Sequence, residues 1–147
     1  MPFAPQQRVT FALEQDLPWL ALKDTPGFGG VDIPGIHCKF FGKEGVGPWF
    51  YLVKHAPGVV VPRHSHDGDV FHYILEGEWQ IGKSTKRFGS GFMQFEQKGL
   101  YYGPLISGPQ GSLFLAIYDN APSFIEPPEE QQNVAPEADY ERPPSGR

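Results

Sequence analysis

The sequence predicts an all-β protein, a single closed or double-sheet antiparallel barrel with an irregular N-terminal segment and an acidic, proline-rich C-terminal tail. Three observations carry this prediction. Apolar and polar residues alternate with period two over most of the chain, while helical periodicity is weak throughout. Aromatic residues make up 14% of the 147, and 18 glycines and 16 prolines divide the chain into short runs. That is the composition of strands joined by turns. No segment repeats another, so one barrel is expected rather than two.

Residues 1–30 read as an arm and first-strand region, with room for at most a short helix in the first twenty. Residues 31–120 carry the barrel. Its strands are expected at Ile36–Gly42, Trp49–His55, Asp69–Leu75, Glu78–Gly82, Phe92–Gln97, Tyr101–Ile106 and Leu113–Asp119. Glycine- and proline-bearing turns separate them at 42–48, 76–77, 89–91, 98–99 and 107–111. Residues 121–147 hold six prolines and no apolar period, which suggests an arm or a disordered tail. Its apolar residues, Phe124, Ile125, Val134 and Tyr140, would drape over a neighbouring subunit if the tail were ordered.

The net charge of -5 is unevenly placed. The tail holds six acids (Glu126, Glu129, Glu130, Glu137, Asp139, Glu141) against Arg142 and Arg147, so -4 of the -5 lies there. The near-neutral remainder has no basic stripe for a phosphate backbone, which argues against a nucleic-acid partner. The single cysteine, Cys38, excludes an intrachain disulfide and fits a reducing compartment. No apolar run approaches 18 residues and no basic-then-apolar leader begins the chain. The expected setting is therefore soluble and cytoplasmic, with no membrane partner. A barrel of this size leaves open sheet edges, so a homodimer is expected, with Phe40, Phe50, Phe71 and Tyr73 as outward apolar candidates.

The functional signal lies in Pro57–Gly77. Three of the five histidines, His64, His66 and His72, fall within nine residues between a Pro-Gly turn and a Gly-terminated apolar run. On an extended strand His64 and His66 leave the same face. Two neutral imidazoles aimed at one point are the start of a metal site.

The run resembles the first sequence motif of the cupin superfamily. Pro57-Gly58 stands for its turn, His64-x-His66 for its ligand pair, Asp67-Gly68-Asp69 for its polar bend and Tyr73-Ile74-Leu75-Glu76-Gly77 for its closing strand. The resemblance implies a jelly-roll barrel holding a divalent ion. The chain departs from the pattern twice. Many cupins place a glutamate ligand four residues beyond the second histidine, which here is Val70, with His72 two residues on. The second motif survives only partly in Gly91–Pro104, with Gln97 at the usual proline position and Tyr102 at the usual histidine. Either His72 joins His64 and His66 in a three-histidine set, or it contacts substrate or a supporting carboxylate. The two readings differ by about 6.5 Å along the strand.

Glu96 and Gln94 share one strand face, and a buried Glu96 would need a partner or a metal. Glu96 and Tyr102 are the candidate catalytic groups, as base or orienting residue, and also candidates to complete the metal's shell, Tyr102 as phenolate; the alternatives are a solvent-facing Glu96 and a packed Tyr102. His55 precedes the Pro57-Gly58 turn, its face undetermined. His37 and Cys38 point oppositely, with Cys38 in the core. Asp67 and Asp69 suit hydrogen bonds within the bend.

Among cupins, the segment around His64–Trp79 is similar to small dioxygenases that cleave carbon–carbon bonds in β-diketones and hydroxyacetophenones. That likeness implies Fe(II) in a mostly histidine site and a small enolisable carbonyl substrate. Two other readings stand beside it: a non-redox isomerase, cyclase or lyase using Zn(II), Mn(II) or Ni(II), and a ligand-binding module without turnover.

Overall fold

The computed structural model describes residues 9–82 and 86–132. Eight strands form it: β1 (Leu20–Ala21), β2 (Ile36–Lys43), β3 (Val46–His55), β4 (Val60–Val61), β5 (Val70–Ile81), β6 (Arg87–Phe88), β7 (Met93–Glu96) and β8 (Leu105–Tyr118). All pair antiparallel, in the order β1-β2-β3-β8-β5-β6, with β4 added to β8 and β7 to β5. Helical structure among the described residues is limited to 3₁₀ turns at Glu14–Asp16, Leu22–Asp24 and Glu129–Gln131. None of it is long and apolar enough to cross a membrane. Val134 and Tyr140 lie outside the described residues.

Period-two burial forms the barrel wall. Along β5, Val70, His72 and Ile74 are buried while Phe71 faces out. Trp79, fully buried, donates its indole N–H to Ser112 Oγ at 3.2 Å, so the ring's one polar atom keeps a partner in the core. Residues 22–28 close one end of the barrel. There Tyr51 donates its hydroxyl to the Pro26 carbonyl at 2.6 Å, and Phe28 meets Tyr51 and Tyr118 edge-on. Cys38 is buried and His37 exposed, as their opposed parity requires. Phe40 packs inward near Trp49 and Tyr51, correcting its outward assignment: it shares the face of buried Cys38.

The strand pattern also differs from expectation. Asp69–Leu75 and Glu78–Gly82 are one strand, β5, and the 107–111 segment lies inside β8. The glycines there are bulges rather than turns. The β5–β8 register shifts between Ile74 and Glu76 and again between Gly77 and Trp79. Gly77, at φ +75, lies so close to β8 that a Cβ would collide with the Gly111 carbonyl. A glycine can therefore mark close approach of two continuing strands as well as a chain reversal. Tyr102 makes only an isolated bridge with His64, and β8 begins at Leu105.

Candidate metal centre

The His64–His66 segment runs between β4 and β5. His64 exchanges both backbone hydrogen bonds with Tyr102, and Ser65 exchanges both with Ile125. These two bridges keep the segment extended, so both imidazoles point inward, as the His-x-His spacing requires. Their Nε2 atoms stand 3.1 Å apart.

The hydrogen bonds on the opposite ring nitrogens decide what that distance means. His64 Nδ1 donates to the Pro62 carbonyl at 2.6 Å, and His66 Nδ1 donates to the Ser123 carbonyl. A carbonyl only accepts, so each neutral ring carries its proton on Nδ1 and leaves Nε2 bare. Burial favours the neutral form: it pushes His64 down to about 4 and lowers His66, against the pull of Glu96. Two lone pairs thus face each other in a low-dielectric interior, an arrangement that a cation between them would relieve. Bonds of about 2.0–2.1 Å to both nitrogens would subtend an angle of about 100° at an ion, within ordinary coordination geometry.

Glu96 enters from β7. It is buried and accepts a hydrogen bond from Gln94 on Oε1. Its Oε2 has no hydrogen-bond partner and lies 3.9 Å from His66 Nε2. Glu96 is also the cross-strand neighbour of Val70, the position where many cupins carry their glutamate. Facing residues on paired strands have Cβ atoms about 5 Å apart. A carboxylate on β7 therefore reaches nearly the same place as one at position 70.

His72 stands behind this carboxylate. Its Nδ1 lies 2.9 Å from Glu96 Oε1 but off the direction in which the ring could donate, so it forms no hydrogen bond. The ring packs edge-on against Trp79 and Phe114. Tyr102 lies against the imidazoles, its ring 4.8 Å from His64 and 6.2 Å from His66. His55 is also buried, its Nδ1 without a hydrogen-bond partner, and burial pushes it down to about 3. Asp69 serves the bend, accepting the Lys98 N–H, and the Asp67 carbonyl accepts from Asn120.

Residues 122–125, which composition groups with the tail, roof the site. Phe124 stacks on His64 at 4.2 Å and 13°, while Ser123 supplies the carbonyl that fixes the His66 tautomer. Sequence reasoning gave Ser123 no role and laid an ordered Phe124 and Ile125 over a neighbouring subunit; they pack instead on His64 and Ser65 of their own barrel. Tyr118 also went unremarked. It ends β8 and meets His66 edge-on at 5.3 Å. The cavity measures about 60 Å³, lined by the four inward histidines and apolar rings, room for on the order of four waters.

Among the described residues, no three His, Cys, Asp or Glu side chains already stand as a complete ligand set. Two bare nitrogens face each other, and a buried, unpartnered carboxylate oxygen lies close by. The chemistry of these three groups fits a divalent ion.

The sequence profile of the ChrR cupin-like domain matches residues 7–119. The chain belongs to this cupin family. No curated protein matches the cupin chain in sequence. Among solved structures it is similar to an acetylacetone dioxygenase from Acinetobacter johnsonii, with TM-score 0.62 and 14% identity over 92% of this chain and 90% of that one. The polyketide cyclase RemF from Streptomyces resistomycificus gives TM-score 0.64 and 16% identity, covering 85% and 89%. The Rhodobacter sphaeroides complex of SigE with the anti-sigma ChrR gives TM-score 0.54 and 24% identity, covering 73% and 52%. At these identities the likeness establishes the fold alone.

Proposed function

We propose that this cupin is a mononuclear metal enzyme acting on a small enolisable carbonyl compound, with dioxygenase chemistry at Fe(II). The observation that carries the proposal is the pair of bare Nε2 atoms 3.1 Å apart, with each Nδ1 committed to a carbonyl. His64 and His66 would hold the ion and Glu96 Oε2 would complete a three-donor set. Gln94 then orients Glu96 through its hydrogen bond to Oε1, and His72 stands behind the carboxylate rather than binding metal itself. The similarity of the barrel to an acetylacetone dioxygenase supports the choice of substrate class.

When bound, a divalent ion supplies Lewis-acid polarisation of a carbonyl and open positions for dioxygen or water. The protein groups do the rest. The Pro62 and Ser123 carbonyls lock the two imidazoles in the metal-binding tautomer. Tyr102, Phe114 and Phe124 wall the cavity with rings that would pack against a small substrate. The proton released as the substrate enolises has an acceptor at the Glu96 corner, where His72 Nδ1 has no hydrogen bond.

The narrow cavity favours a second reading, a module that holds a ligand without turnover. A zinc-bearing cyclase or lyase would show metal without oxygen uptake. Elemental analysis combined with dioxygen uptake on acetylacetone tests the proposal. Iron with substrate-dependent uptake supports it; bound metal with no uptake on any β-diketone contradicts the oxygenase reading.

A further inference from the structure

Of the histidines that line the cavity, His55 is the one to which the metal centre gives no part. It ends β3 on the inner face of the barrel, 5% exposed, with its ring edge-on against Phe114 at 5.0 Å. Its Nδ1 has no hydrogen-bond partner. Ser112, the residue facing it on β8, is engaged elsewhere: its hydroxyl accepts the Trp79 indole N–H and pairs with the Ser107 hydroxyl at 3.2 Å. A buried polar atom without a partner is costly, and one that lines a cavity can be satisfied by what binds there.

The register sets His55 apart from the groups that would hold the ion. His55 faces Ser112, whereas Tyr118, which His66 meets edge-on, lies about 20 Å further along β8. Phe114 stands at a level between them and touches His72 as well as His55. Beside it the lining is apolar, with Val53 and Trp79, and among the described residues it includes no Lys, Arg, Asp or Glu. A ligand chelated at the ion and extending along this lining would bring its far end to His55.

The chemistry of His55 narrows what that end can be. Burial, with His72 close by, pushes the ring down to about 3, so it is neutral near pH 7. One nitrogen then donates and the other accepts. A hydroxyl does both and pairs with either tautomer. A carboxylate or an ammonium would shed its hydration where the lining offers no opposite charge.

We propose that His55 is a specificity-determining residue, which hydrogen-bonds a neutral hydroxyl at the end of the substrate remote from the ion. The substrate class narrows to small, uncharged enolisable ketones that carry a hydroxyl beyond an apolar segment. This rests on the reading that the substrate chelates an ion held by His64 and His66.

Isothermal titration of the full chain loaded with Zn(II) tests the proposal without turnover. The probes are valerylacetone and its ω-hydroxy derivative, β-diketones that differ by one terminal hydroxyl. Wild type should bind the hydroxy compound about tenfold more tightly, the usual worth of one hydrogen bond. His55→Phe should equalise the two affinities at wild-type metal content. His55→Gln, which keeps a donor and an acceptor, should retain part of the preference. Equal affinities in wild type, or tighter binding of the parent diketone, would overturn the anchor and leave the chelate reading standing, whatever the variants do. A preference that survives His55→Phe would overturn it as well, and loss of metal in that variant would place His55 in the metal centre instead. Binding of neither diketone by the loaded protein would overturn the chelate reading, and the anchor with it.

Discussion

At the scale of single residues, the account rests on where two protons sit. With each Nδ1 bonded to a carbonyl, His64 and His66 present matched lone pairs, and removing either ring should remove the ion. Expected for His66→Ala is metal content near zero with an intact barrel, read by elemental analysis beside circular dichroism. Glu96 and His72 separate the two ways of completing the shell. If Glu96 Oε2 is the third donor, Glu96→Gln should nearly abolish binding. His72→Ala should weaken it only about 10–100-fold, the usual cost of losing a group behind a ligand. The reverse order in a competitive chelator titration would make His72 the ligand. The pair at 64 and 66 was legible because strand parity fixes a same-face spacing. Glu96 was legible as a candidate, but its closeness to the pair was not, because the sequence does not state that β7 lies beside Val70, and only pairing supplies that neighbour.

At the scale of elements, the strap at 122–125 and the bulged β5–β8 pair govern the site. The strap joins the barrel through the Ser65–Ile125 bridge and the Ser123 contacts to His66 and Asp67. Truncation after Glu126 should leave metal binding unchanged, whereas truncation before Pro122 should weaken it at least tenfold, measured by chelator competition. Equal affinities would show that the strap only covers the site. Gly77 faces the Gly111 backbone at positive φ, so Gly77→Ala should destabilise the fold by about 3 kcal/mol, read by urea denaturation. Alternation located the long strands because one face of each is buried. It failed at 76–77 and 107–111, where glycine serves two opposite purposes that composition cannot separate. It also failed at the strap, whose order comes from tertiary bridges and not from any local period.

At the scale of the whole molecule, burying neutral histidines makes the metal-free protein sensitive to acid. Burial pushes His55 to about 3 and His64 to about 4, from an ordinary 6.5. Between those values the unfolded chain binds more protons than the folded one, so stability falls as pH drops below about 6.5. Urea midpoints of metal-stripped protein should decline from pH 6.5 towards 4, and more gently in His55→Gln, which carries one such group fewer. Burial likewise pushes the Cys38 thiol up to about 12, so it should react with thiol reagents only on unfolding. The central claim, that this barrel is built around one ion, is tested most directly by elemental analysis of untagged protein beside a His64→Ala/His66→Ala variant. The account predicts one divalent ion per chain in the wild type and none in the variant; equal metal content in the two, or none in either after reconstitution with Fe(II) or Zn(II), would contradict it.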